Sequence, residues 1–227
     1  MSAERFTSII PNAGGRLPVE IVVSTAAEMR ALGRRLAALL RAGDLVILSG
    51  GLGAGKTTLT QGIGDGLGVR GPVTSPTFVI ARVHPPLVAA GGAAGQAGPR
   101  PGHPGRPGHP GRPALVHADA YRLGSSVELD DLDLDADAAT SVTVVEWGEG
   151  LAEGLAADRL EITITPAAGA GPAGLDDAGD PGGPENSDDS GAWDGLDGDS
   201  PRTVRISGAG ERWHDIELPP ADLADRL

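Results

Sequence analysis

The sequence predicts an α/β fold, a mixed sheet with flanking helices, and three features carry the prediction. Gly50-Gly51-Leu52-Gly53-Ala54-Gly55-Lys56-Thr57 fits the phosphate-binding pattern G-x-x-x-x-G-K-[ST]. The apolar run Leu45-Val46-Ile47-Leu48 before it reads as a buried parallel strand, and Thr57 to Gly66 after it reads as the helix such a loop opens. Two later apolar runs end on acids, Asp119 and Glu146, as strands do when their carboxyl ends face a ligand. The expected architecture is one P-loop NTPase-like domain over residues 1–227, with a frayed tail at 1–15 and disordered insertions at 85–113 and 167–201.

The loop dictates its own chemistry. Its glycines let the backbone wrap a phosphate chain with N–H groups turned inward, at a helix N-terminus that already favours anions. The nucleotide-binding stretch is therefore Gly51, Leu52, Gly53, Ala54, Gly55, Lys56, Thr57 and Thr58. Lys56 is expected to reach the terminal phosphates as a solvent-facing charge, and the Thr57 hydroxyl to hold Mg²⁺. Lys56 is also the only lysine among 18 Lys and Arg residues. A compact ammonium works as a point charge among phosphates in a way a planar guanidinium does not.

Taken in order, Leu17–Val23 reads as the first strand. Thr25 and Glu28 form a capping box, and Met29, Leu32, Leu36 and Leu39 recur on one helical face until Gly43 ends it. Gly62, Gly64, Gly66 and Gly68 weaken the helix after the loop and stop it near Gly68. Phe78–Val83 reads as a strand, as do Leu115–Asp119, Val142–Glu146 and Leu160–Thr165. Thr203–Ser207 and Trp213–Leu218 read as a closing hairpin. Residues 101–112 repeat a Pro-Gly-His-Pro-Gly-Arg hexapeptide, which offers no apolar face to bury and marks a mobile insertion.

The net charge of −13 is local: Glu128–Asp137 holds six acids and Asp176–Asp199 nine, with no basic residue in either. Without cysteine there are no disulfides, thiolate metal sites or thiol nucleophiles. No apolar run approaches membrane-spanning length and the first residues lack a signal-peptide core, so a cytoplasmic protein without membrane contact is expected.

Asp119 and Glu146 are the candidates for holding Mg²⁺ or positioning water, and the residues alone leave their division of labour open. Asp131-x-Asp133-x-Asp135-x-Asp137 imitates a calcium loop but has Ala136 where glycine is needed and Val142 where the bidentate Glu belongs, so it reads as the solvated face of a short helix. His103 and His109 lack the carboxylate or fixed backbone a metal site needs. A guanine switch needs a second lysine, which is absent. Arg100, Arg106 and Arg112 do not resemble a kinase lid. ATP hydrolysis is the leading chemistry; a stand-alone small-molecule kinase is second, and a nucleotide-sensing module third.

Four motifs in order complete a resemblance: the loop through Thr58, Ser75-Pro76-Thr77-Phe78, His117-x-Asp119-x-Tyr121-Arg122-Leu123, and Glu146-Trp147. Over about residues 19–165, minus the first insertion, the chain resembles the TsaE family, the ATPase subunit of the bacterial tRNA threonylcarbamoyladenosine machinery. The resemblance implies ATP with Mg²⁺, weak hydrolysis, and action on a TsaD-like transferase with its TsaB-like partner, so that tRNA is met only through that complex. By position it implies that Lys56 contacts phosphates, Thr57 and Glu146 hold Mg²⁺, Asp119 positions water and Ser75–Thr77 forms a switch-like loop. Arg202 is the positional candidate for a further nucleotide contact. Gly51 stands where the family commonly has Asp, and Met29 where it commonly has Thr, which bears on an early nucleotide contact.

Overall fold

The computed structural model describes residues 15–76, 80–87, 112–132, 134, 139–167 and 200–221. Thr77 and Phe78, His103, His109, Arg100, Arg106, Asp133, Asp135 and Asp137 lie outside these residues, as do 88–111 and 168–199 of the two expected insertions and 1–14 of the tail.

Twelve elements follow in chain order: β1 Gly15–Arg16, β2 Val19–Val23, α1 Ala26–Ala37, β3 Leu45–Gly50, α2 Lys56–Leu67, β4 Ala81–His84, β5 Ala114–Asp119, α3 Ser126–Asp130, β6 Ser141–Glu146, β7 Arg159–Pro166, β8 Arg202–Ala209 and β9 Glu217–Leu218. Seven strands form one mixed sheet in the order β2-β8-β7-β3-β6-β5-β4. Its centre is parallel, with β3 between β7 and β6 and β5 beyond β6; β8, β2 and β4 run antiparallel to their neighbours. The α/β fold expected from the sequence is present.

Both sheet faces are covered, which explains why β3 has an unbroken apolar run rather than an alternating one. Val46 and Leu48 face one core with α1 and α2, while Leu45 and Ile47 face a second with Val116, Leu129 and Val145. On α1, Met29, Leu32 and Leu36 are buried as the helical spacing requires. The Thr25 hydroxyl accepts the Glu28 N–H at 3.1 Å, while the Glu28 carboxylate accepts from Ser24 N–H at 2.7 Å. The capping box thus closes one residue earlier than its usual reciprocal form. Helix α1 ends at Ala37, before Gly43, which serves instead as a left-handed turn (φ 93°) leading into β3.

Helix α2 runs to Leu67 and closes on Gly68 in the left-handed conformation, where glycine is expected. Its internal glycines have a further use. A Cβ added at Gly62 would fall inside the Arg30 backbone, and one at Gly33 would meet the Leu59 carbonyl and, at 2.7 Å, the Ile63 nitrogen. The two helices cross backbone to backbone, and the residues that weaken α2 in isolation are the surface on which α1 seats.

The expected closing hairpin is not formed between β8 and residues 213–218. Both edges of β8 are taken, by β2 and β7, so no ladder remains for a following strand. The chain turns at Gly210 (φ 85°), buries Trp213, and its last two-residue strand, β9, pairs with β1 in a separate ribbon. The antiparallel partner that β8 has from the strand before it in the chain is β7. The strand expected over Phe78–Val83 is observed as Ala81–His84, with Ile80 in a left-handed conformation (φ 72°) before it.

Strands β4 and β5 pair directly, His84 opposite Leu115. Residues 85–87 are tied to the end of α2 through Arg70 N–H to Pro85 O at 2.7 Å and Leu87 N–H to Gly68 O at 2.8 Å. Replacing residues 88–111 by a turn of about four residues therefore leaves the sheet register intact. Loop-closure entropy then favours the shortened chain by about 1.6 kcal/mol for a roughly sixfold cut in length. A denaturant titration checks it; a loss of stability beyond 1 kcal/mol would show that 88–111 contributes to the fold. Among the described residues, no helix is long and apolar enough to cross a membrane.

Candidate functional site

The loop leaves β3 at Gly50 and enters α2 at Lys56. Gly55 has φ 100° and caps the helix, and Gly50 has φ 144° with the Ile164 carbonyl where a Cβ would lie, so both positions require glycine. At Gly51 nothing lies within 4 Å of an added Cβ, so a larger side chain would have room there. Leu52 is 84% exposed at the loop tip. Met29 is fully buried, its Cε 3.3 Å from where a Gly55 Cβ would stand, so it packs beneath the loop as core.

Lys56 is not solvent-facing, as the sequence suggests, but 5% exposed. Its ammonium donates to Gly50 O at 2.9 Å and Gly51 O at 2.8 Å and lies 3.6 Å from the Trp147 ring centroid. Burial lowers its pKa; the nearby Glu146 and Asp119 charges pull the other way. Trp147 holds this place with φ 59°, a left-handed conformation unusual for a bulky residue, and Tyr121, 63% exposed, packs at 5.1 Å from it.

The acids stand at the ends of adjacent parallel strands, Asp119 in register with Glu146 and Glu146 with Leu48. The Thr57 hydroxyl donates to Glu146, with Oε1 at 3.0 Å and Oε2 at 3.2 Å. His117 Nε2 lies 2.7 Å from the same Oε1, with the ring wholly buried. Asp119 is 5% exposed and accepts the Tyr121 N–H at 2.9 Å. Lys56, Thr57, Asp119 and Glu146 therefore converge at one end of the sheet. Arg202 is buried at the start of β8, opposite Pro166 of β7, two positions beyond the Val204–Ile164 pair that aligns with Gly50; this places it at the same end of the sheet. Ser75 lies on the exposed approach to β4. Thr58 is buried behind the loop.

The donor set fits a magnesium nucleotide: a glycine cradle for phosphates, one ammonium, and a hydroxyl and a carboxylate in contact as hard oxygen ligands. Two participants were missed from the residues alone. His117 precedes Asp119 by two on a strand and so shares its face, a signal that could have identified it. Nothing local identifies Trp147 as the ring beside Lys56.

The chain matches the family described as "Threonylcarbamoyl adenosine biosynthesis protein TsaE" over residues 23–90 and 106–170. It is 50% identical over 186 residues to the tRNA threonylcarbamoyladenosine biosynthesis protein TsaE of Streptomyces coelicolor, covering 82% of this chain and 93% of that one. A protein of the same name from Mycobacterium tuberculosis is 48% identical over 59% of this chain and 70% of its own. The one from Bacillus subtilis is 34% identical over 60% and 71%. The crystal structure of Bacillus subtilis YdiB shares the fold, with a TM-score of 0.50 and 24% identity over 86% of this chain and 88% of that one.

Proposed function

The chain belongs to the TsaE family, and from that premise we propose that it is a Mg²⁺-dependent ATPase supporting threonylcarbamoyladenosine formation on tRNA, acting on a TsaD-like transferase with its TsaB-like partner. The observation that carries the ATPase reading is the contact of Thr57 with Glu146 beside Lys56 at the mouth of the loop. The names of the relatives support the place in tRNA modification.

In this reading Lys56 exchanges the Gly50 and Gly51 carbonyls for phosphate oxygens, and the loop N–H groups hold the phosphate chain. Thr57 and Glu146 hold Mg²⁺, which neutralises charge developing on the phosphate oxygens. Asp119 orients the attacking water, and Arg202 is a further nucleotide contact from the neighbouring strands.

Glu146→Gln keeps ATP binding in EDTA, loses the Mg²⁺-dependent part of its ATP affinity, and lowers hydrolysis on the order of a hundredfold, since the amide retains the shape but not the charge. The Thr57 hydroxyl can reverse and accept from the new amide. ADP and free phosphate measured with and without the co-purified partner proteins test the proposal. A phosphorylated metabolite in place of free phosphate would establish the kinase alternative, and wild-type turnover in Glu146→Gln would reassign the Mg²⁺ carboxylate to Asp119.

A further inference from the structure

We propose that His117 is the positioning residue for Glu146: its Nε2–H holds Oε1 and leaves Oε2 toward the cation. The inference rests on the reading of Thr57 and Glu146 as the Mg²⁺ pair.

A carboxylate only accepts, so in the 2.7 Å contact the imidazole must donate from Nε2. The other ring nitrogen, Nδ1, is buried and has no hydrogen-bond partner among the described residues. Burying an unmet polar atom is unfavourable. In register His117 stands opposite Val144 of β6 and Arg82 of β4, wholly buried, and a leucine there would leave no polar atom unmet. Stability alone gives no reason for a histidine at this position; the contact with Glu146 does.

With a cation bound, Glu146 still needs a hold that the metal does not displace. Without one, Glu146 has two hydrogen-bonding tethers among the described residues: the Thr57 hydroxyl, at 3.0 and 3.2 Å, and His117. Thr57 carries a single hydroxyl proton, and turning its oxygen toward a cation reorients that bond. His117 reaches Glu146 from β5 whereas Thr57 reaches it from the start of α2, and only the Thr57 oxygen has to turn toward a cation. It is thus the tether that persists in both states. A glutamate has three side-chain torsions, and fixing one oxygen removes most of the freedom that metal binding would otherwise have to restrict. Outer partners of this kind change metal affinity about 10–100-fold when removed.

Three variants measure it: His117→Leu, His117→Gln and His117→Asn, each titrated with ATP in Mg²⁺ and again in EDTA, with a thermal melt as a folding control. A glutamine amide reaches the Nε2 position and an asparagine does not. The expected result is that wild type and Gln bind ATP more tightly with Mg²⁺ than in EDTA. Leu and Asn lose about 10–100-fold of affinity in Mg²⁺ only, their EDTA affinities staying within twofold of wild type. Overturning results are a wild-type Mg²⁺ response in Leu and Asn, or equal losses in Mg²⁺ and EDTA, which would mark His117 as structural. Gln falling together with Asn overturns the proposal even where Leu does not fold. If wild type itself binds ATP no more tightly with Mg²⁺, the Thr57–Glu146 reading fails, and the proposal falls with it.

Discussion

Lys56→Ala binds ATP at least about a hundredfold more weakly than wild type, a loss of about 2.7 kcal/mol, which is the scale of one or two charge-assisted hydrogen bonds to phosphate. The fold survives the change for a reason visible in the structure. Lys56 is buried by the loop and the Trp147 ring, and the oxygens it leaves, Gly50 O and Gly51 O, border an exposed loop where water can replace the ammonium. Burial already disfavours the charged lysine, so removing it also relieves a desolvation cost. Isothermal titration with ATP together with a melting curve reads both halves. Unchanged affinity would remove the loop assignment, whereas loss of folding would mean that Lys56 is a structural clasp in the nucleotide-free protein. Because Lys56 is the only lysine, an acyl-phosphate nucleotide probe should label a single side-chain site, and ATP should compete with it.

Gly62→Ala has the largest expected effect on stability, and its sign is opposite to what helix propensity gives. In an isolated helix the substitution is worth about 1 kcal/mol in favour of alanine. Here the new methyl would sit within 2.8 Å of Arg30 Cα and closer still to its carbonyl, and both are backbone atoms of a packed helix. Overpacking costs about 1–3 kcal/mol even where side chains can yield, so about 3 kcal/mol of destabilisation is expected at this position. In a chain of this length that lowers the melting temperature by roughly 6–12 °C. Gly154→Ala is the control, since nothing lies within 4 Å of its added Cβ. If Gly62→Ala melts at or above the wild-type temperature, the close crossing of α1 and α2 is not present in solution.

The parts of this protein legible in its sequence are those whose physical cause lies within a few residues. The loop from Gly50 to Thr57 needs particular residue types at fixed spacing, and it occurs as read. Strand β3 is apolar on both faces because both faces are covered, and the acids Asp119 and Glu146 are the last residues of strands buried along almost their whole length. The rest depends on contacts between distant segments. Thr57 and Glu146 are 89 residues apart, and His117 and Glu146 are 29; the order and register of the sheet bring them together. Residues 213–218 have a pattern fit for a strand, but which edge they could join was decided by β2 and β7 having already filled both sides of β8. The glycines of α2 show the division most plainly. From sequence alone they are only weak helix formers, because propensity is a property of the isolated chain; in the tertiary structure they are the contact surface, because only a residue without Cβ lets two helix backbones approach this closely.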